Sequence, residues 1–333
     1  MTDRFVARPR HRDAGGPASP STPPRPLPAH RALEPLRPYL ADPAVTDVFV
    51  NGDDVLFVDR GRGAERVPGW RVDDARALAV GLIGAGGRHI DDATPVADVR
   101  WEGGARVHAV LPPVACAGVA ISIRLPARER LSLDDLGRRG MFDAATGERL
   151  EHLVAARVNL LVSGATGAGK TTLLSALLGR VPATERIVTI EDVAELRIDH
   201  PHHVRLEARQ ANLEGAGAVV LSRLVREALR MRPDRLVVGE CRGEEVRELF
   251  TALNTGHDGG AGTVHASGIR DLPARLEALG ALAGMDERAV ARQAVSAFGA
   301  IVHVARDRDG VRRVTGIARL TLDDGRLGVE DAP

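Results

Sequence analysis

Lys170 is the only lysine in this chain; the other 44 of its 45 basic Lys and Arg residues are arginines. It sits in "GATGAGKT", residues 164–171, which fits G-x-x-x-x-G-K-[ST] at every fixed position. Glycines let backbone wrap round a phosphate chain, and the N–H groups of a following helix N-terminus meet the charge. Gly164, Ala165, Thr166, Gly167, Ala168, Gly169, Lys170, Thr171 and Thr172 are thus the candidate triphosphate cradle. Lys170 would reach the β- and γ-phosphates and the Thr171 hydroxyl would bind Mg²⁺. Arginine's broad planar fork fits such a loop poorly, which explains a lone lysine in an arginine-biased chain.

The flanking sequence is of the right kind. "VNLLVS" (158–163) is a short apolar run suited to a buried parallel strand, and "TTLLSALLGR" places leucines on one helix face. In open α/β sheets, ligands bind outside the carboxyl ends of the strands. Glu191 and Asp192 follow the apolar run "RIVTI", Glu240 follows "RLVVG", and His265 follows "GTV", with His257 eight residues earlier. All are expected to converge on the rim that carries Lys170. Phosphoryl transfer to water needs an oriented nucleophile, a metal and positive charge on the γ-phosphate. Glu240 could position water or hold Mg²⁺, Glu191 is a competing general base, and the histidines could contact the γ-phosphate.

These motifs sit in a chain with 45 acidic and 45 basic residues and 3% aromatics, which argues against a protein built to coat nucleic acid. Cys116 and Cys241 are far apart and form no C-x-x-C pair, so no disulfide framework or zinc site is expected, and a reducing compartment fits. No secretory signal or membrane span is read, and the expected location is cytoplasmic.

Four segments are expected. Residues 1–30 hold 7 of the 20 prolines and read as a disordered Pro/Arg-rich arm. Residues 31–126 read as a small α+β domain, with a hairpin around "NGDD", a helix over 72–84, and strands in 105–113 and 119–126. Residues 127–148 read as a linker with one short helix. Residues 149–333 alternate apolar strands and amphipathic helices, the pattern of an open, mainly parallel sheet. In the helix predicted over 219–235, Arg223, Arg226 and Arg230 share a face, a solvated stripe that could serve a neighbouring subunit as arginine fingers.

"GATGAGKTT", "RIVTIEDVAEL" (186–196), "LRMRPDRLVVGECRG" (229–243) and "TGHDGGAGTVHA" (255–266) resemble, in order and spacing, the Walker A, Asp, Walker B and His boxes of the type II/type IV secretion ATPases. "GRHIDDATPVADVRWEGGARVHAVLPP" with "ISIRLP" resembles that family's N-terminal segment, and the resemblance runs from about 31 to 305. "RPDRLVVGE", "LEARQANLEGAG" and "ALNTGHDGG" look most like the Tad/Cpa branch, which assembles Flp-type pili. The resemblance implies a RecA-like P-loop NTPase domain after the α+β domain. It also implies ATP and Mg²⁺ as ligands, with Glu240 as a second metal contact, and Arg106 and Arg124 as N-terminal-domain arginines approaching the phosphates. It further implies a homohexamer acting with inner-membrane platform proteins, peripheral to the cytoplasmic membrane, without direct nucleic-acid contact. A conjugation-linked secretion ATPase, a nucleic-acid translocase and a non-hydrolysing nucleotide switch are the alternatives. Two departures stand out: "VADVRWEGG" leaves the role of Arg100 open, and Cys241 beside Glu240 is either a redox-sensitive thiol or a small buried hydrophobe.

Overall fold

Strict alternation of apolar and polar residues builds the first part of the chain. In the computed structural model, which describes residues 27–332 apart from 62, 102, 127–129, 210–216 and 308–309, these alternating runs pair into a six-stranded antiparallel sheet. Its strands are β1 (Asp47–Asn51), β2 (Leu56–Asp59), β3 (Ala64–Arg66), β4 (Val96–Arg100), β5 (Arg106–Val110) and β6 (Ala120–Arg124), in the order β3-β2-β1-β6-β5-β4. Val48, Val50, Val107, Ala109, Ile121 and Ile123 face one side and are buried. They share a core with the one-turn helix α1 (Arg37–Ala41) and with α2 (Ala75–Gly84). Asp74 caps α2 by accepting from Ala77 N. The five buried aliphatics of α2, Ala75, Leu78, Ala79, Leu82 and Ile83, stabilise it more. A large buried aliphatic is worth about 2 kcal/mol, against about 1 kcal/mol for a cap.

The chain divides into two compact units between residues 128 and 129. In the second, continuous apolar runs give strands buried on both faces. Strands β7 (Leu160–Gly164), β8 (Ile187–Glu191), β9 (His203–Glu207), β10 (Arg235–Cys241), β11 (Ala261–His265) and β12 (Ala300–Arg306) run parallel. The hairpin β13 (Arg312–Asp323) and β14 (Arg326–Asp331) adds antiparallel strands, giving the order β14-β13-β12-β7-β11-β10-β8-β9. Helices α3 (Leu133–Arg138), α4 (Ala144–Ala155) and α5 (Lys170–Leu178) cover one face. Helices α6 (Leu221–Leu229), α7 (Glu245–Leu253), α8 (Leu272–Leu282) and α9 (Glu287–Ala297) cover the other.

The mixed α/β fold matches the expectation; the linker does not. Residues 133–155 form α3 and α4, whose Leu133, Leu136, Leu150 and Val154 are buried with Leu173, Leu174 and Leu177 of α5. Among the described residues of that segment, Asp134, Arg138, Arg139 and Glu148 are exposed, and two acids cap the helices. Asp135 forms a capping box with Ser132, and Asp143 accepts from Thr146 N. Strands β3, β4, β9 and β12 add to the strands expected from the sequence. The proline-rich arm lies outside the described residues up to residue 26.

Candidate active site

Parallel pairing brings the carboxyl ends of β7, β8, β10 and β11 to one rim. Gly164 pairs with His265, Val264 with Cys241, and Ile190 with Val238. The phosphate-loop motif, Glu191, Glu240 and His265 therefore stand together, as their positions after apolar runs predict.

The loop is dictated by its glycines. Gly164 has φ +152° and passes so close to β12 that a Cβ there would lie 2.1 Å from the Val304 carbonyl oxygen. Gly169, with φ +102°, opens α5. The first-turn N–H groups of α5 have no intrahelical acceptor and face the loop. Lys170, only 7% exposed, curls back over its own loop. Its Nζ donates to the carbonyls of Gly164 at 2.9 Å and Ala165 at 3.0 Å, and to His265 Nδ1 at 3.2 Å. Burial pushes its pKa down, and the charge of Glu240 works against that shift.

His265 links the lysine to the acid. Because its Nδ1 accepts from Lys170, its proton lies on Nε2, which donates to Glu240 Oε1 at 2.9 Å. Thr166 Oγ1 is 3.4 Å from the same Nδ1. Burial, and next the charge of Lys170, hold the His265 pKa below its usual value, with Glu240 opposing. The chain Lys170–His265–Glu240 is a cation, a neutral ring and a carboxylate in hydrogen-bonded sequence.

The two acids differ in setting. Glu240 sits where the β10–β11 register shifts between Val238 and Cys241. Its carboxyl is about two-fifths exposed. Glu191 is 4% exposed and lies against Gly239, where a Cβ would be 2.5 Å from Glu191 Cγ. This contact gives the Gly-Glu end of β10 a physical reason: glycine makes room for the Glu191 side chain. Glu191 Oε1 accepts from Glu195 N and Leu196 N, both at 2.9 Å, and Oε2 is buried without a partner. Burial, the largest cause, raises its pKa, and the two backbone donors oppose it. Asp192 is ion-paired with Arg242. Cys241 is fully buried, its thiol raised far above the usual range by burial, and its sulfur packs against Gly262. It is a small core residue, not an accessible thiol.

His257 is not with them. It precedes β11, so the length of the strand, about 13 Å, separates its end of the sheet from that of His265. Around it, Gly260 N donates to Asn159 Oδ1, and Arg235, the first residue of β10, donates to Gly259 O. His257 Nδ1 donates to the Ala252 carbonyl at 3.1 Å, closing the end of α7. The expectation that both histidines share the Lys170 rim fails because strand direction, not sequence proximity, assigns each to an end.

Arg106 and Arg124 belong to the first unit, as direct cross-strand neighbours on the exposed sheet face. Arg100 is the next position in that row. Arg106 pairs with Asp98 at 3.2 Å. Of the α6 stripe, Arg226 pairs with Glu248 at 2.8 Å and Arg230 with Glu227 at 3.3 Å, so two of its three charges are engaged within the subunit.

Sequence inspection missed two neighbours of the loop. Ser163 Oγ and His303 Nδ1 form a buried hydrogen bond of 2.9 Å between β7 and β12. Arg312 of β13 donates from Nε to the Gly167 carbonyl at 3.0 Å. Neither had a local signal: both lie more than 130 residues from the motif, and arginines abound in "RDRDGVRR".

Residues 30–305 match the family model described as "Type II/IV secretion system protein". The chain belongs to that family. Among relatives of this secretion ATPase, a Mycobacterium tuberculosis protein provisionally named for conjugal transfer is 49% identical over 300 residues, covering 88% of this chain and 85% of the other. The type IV secretion system protein VirB11 of Brucella suis is 33% identical over 262 residues, 70% and 72% of the two chains. The fold also matches the crystal structure of the pilus retraction motor PilT with bound ADP, with a TM-score of 0.60 at 20% identity over 90% of this chain and 83% of that one. The family makes this chain a nucleotide-binding P-loop ATPase. No helix among the described residues is long and apolar enough to cross a membrane.

Proposed function

We propose that the chain is the ATP-hydrolysing subunit of a homohexameric motor that drives Tad-type (Flp) pilus assembly at the cytoplasmic face of the inner membrane. The observation that carries the hydrolytic part is the Lys170–His265–Glu240 chain at the mouth of the phosphate loop.

The residues fit a magnesium nucleotide. Lys170 Nζ already has three acceptors where a phosphate's oxygens would replace them, and the first-turn N–H groups of α5 stand beside it. Gly164, Ala165, Thr166, Gly167, Ala168, Gly169, Lys170, Thr171 and Thr172 would hold the triphosphate, and Thr171 with Glu240 would hold Mg²⁺. The metal would neutralise charge on the β- and γ-phosphates. Releasing Lys170 from its loop carbonyls frees His265 as well, so the pair can turn toward the γ-phosphate while Glu240 orients water. Glu191, buried and tied to the backbone of residues 195–196, suits the general base less well than Glu240 in this arrangement. Arg106 and Arg124 would bring positive charge to the phosphates from the first unit.

The Tad assignment rests on the motif wording "RPDRLVVGE" and "ALNTGHDGG". The relatives' names favour a second reading, a conjugation-linked or VirB11-like type IV secretion motor. In either case the motor would work through membrane platform proteins, without direct nucleic-acid contact. Turnover of ATP by the purified protein, lost in Lys170→Ala, tests the hydrolytic role; full activity in that variant overturns it. Co-purification with inner-membrane platform proteins of a pilus system supports the Tad reading. Co-purification with a conjugative coupling complex supports the second, and turnover stimulated by DNA overturns the absence of direct nucleic-acid contact in both.

A further inference from the structure

We propose that Arg312 is a positioning residue of the nucleotide site, bracing the phosphate loop from the C-terminal hairpin and setting nucleotide affinity. The inference rests on the proposed ATP site and deepens it. Three observations converge. Arg312 Nε donates to the carbonyl of Gly167, the middle residue of the loop, at 3.0 Å. Its aliphatic stem lies over the loop's last glycine, since a Cβ on Gly169 would stand 3.0 Å from Arg312 Cδ. Finally, Arg312 faces Arg306 directly across the β12–β13 ladder, and among the described residues neither has an acidic partner. The next arginine, Arg313, is by contrast paired with Asp307 at 3.0 Å and donates to the Gly140 carbonyl.

The physical consequence follows from the peptide plane. A carbonyl and the next residue's N–H point in opposite directions, so holding the Gly167 carbonyl outward fixes the Ala168 N–H inward. In the present arrangement that N–H is turned to the Ala165 carbonyl at 3.2 Å, within the loop. A glycine at 167, with φ +73° and nothing near its missing side chain, would otherwise leave this peptide free to rotate. Like charges directly opposite in a ladder repel, and the Arg306–Arg312 pair keeps that cost in a place where an anion would relieve it. Nucleotide phosphate is such an anion. Arg312 thus couples the β12–β13 hairpin to occupancy of the loop.

The test compares Arg312→Gln, Arg312→Lys and, as a control on the same strand, Arg319→Gln, which pairs with Glu330 away from the loop. Binding of a fluorescent ATP analogue and of ADP, the KM and kcat for ATP, and the melting temperature without nucleotide are measured for each, with Lys170→Ala alongside. Arg312→Gln is expected to weaken nucleotide binding about tenfold, the scale of one charged hydrogen bond. KM should rise more than kcat falls, and the ligand-free melting temperature should hold. Arg312→Lys should recover part of the affinity. Affinity equal to that of Arg319→Gln, or a fall in kcat and melting temperature with KM unchanged, overturns the inference. If the wild-type protein itself binds no nucleotide, or Lys170→Ala binds normally, the ATP-site reading fails instead.

Discussion

At the scale of single residues, the site is a competition for one ammonium group. Lys170 is held by two backbone carbonyls and a neutral imidazole, and its burial lowers its pKa. Replacing it with arginine would put a planar fork where the loop encloses a point donor. Lys170→Arg should therefore lower ATP turnover nearly as far as Lys170→Ala, about a hundredfold or more, in a phosphate-release assay. Glu240→Gln should keep nucleotide binding and lower kcat by about two orders of magnitude, while Glu191→Gln should instead lower the melting temperature as the 192–198 segment loosens. Histidines set the acid limit. His203, beside Thr189 at 2.9 Å, is pushed down to about 4 by burial first and then by Arg205. Between pH 6.5 and 4 the unfolded chain binds a proton that the folded one refuses, so stability falls as the pH drops through that window. Urea unfolding of the wild type at pH 7 and pH 5 should show a loss that His203→Gln reduces by roughly 1 kcal/mol, the ring being only part-buried.

Among the elements, glycines where two strands approach set close constraints. Gly239→Ala would drive a Cβ to 2.5 Å from Glu191 Cγ, displacing the buried carboxyl from its two backbone donors. Loss of about 1–3 kcal/mol in stability is expected, together with lower turnover, read by denaturant unfolding and ATPase rate. Helices α3 and α4 raise a different question, because their charged sequence reads as a tether. Leu150 is fully buried against α5, so Leu150→Ala should cost about 2–4 kcal/mol. A surface linker would tolerate the change within about 0.5 kcal/mol. The same substitution should also weaken nucleotide binding, since α5 carries Lys170 and Thr171 in its first turn.

For the molecule as a whole, the prediction concerns assembly. A ring is expected to close when the nucleotide orders its sites. Light scattering of the full chain should therefore shift from smaller species toward six subunits on adding a non-hydrolysable ATP analogue with Mg²⁺. The analogue at a hundred times its dissociation constant should add about 2.7 kcal/mol of stability. A particle mass unchanged by nucleotide would remove the ring from the proposal.

Much of this protein is legible without coordinates. The phosphate loop, its strand and helix, and the acids after "RIVTI" and "RLVVG" follow from local rules: glycine spacing, apolar runs and what stands after them. Those rules are short-range, so they also place the hairpin of β1 and β2 and the helix α2. The tertiary structure decided what depends on strand direction and on contacts between distant segments. It sent His257 to the far end of β11 and paired two of the three α6 arginines with acids. It also folded residues 133–155 onto α5 and brought Arg312 and His303 to a loop more than 130 residues away. No periodicity carries that information, because which residues meet is set by how a sheet orders its strands, not by their neighbours along the chain.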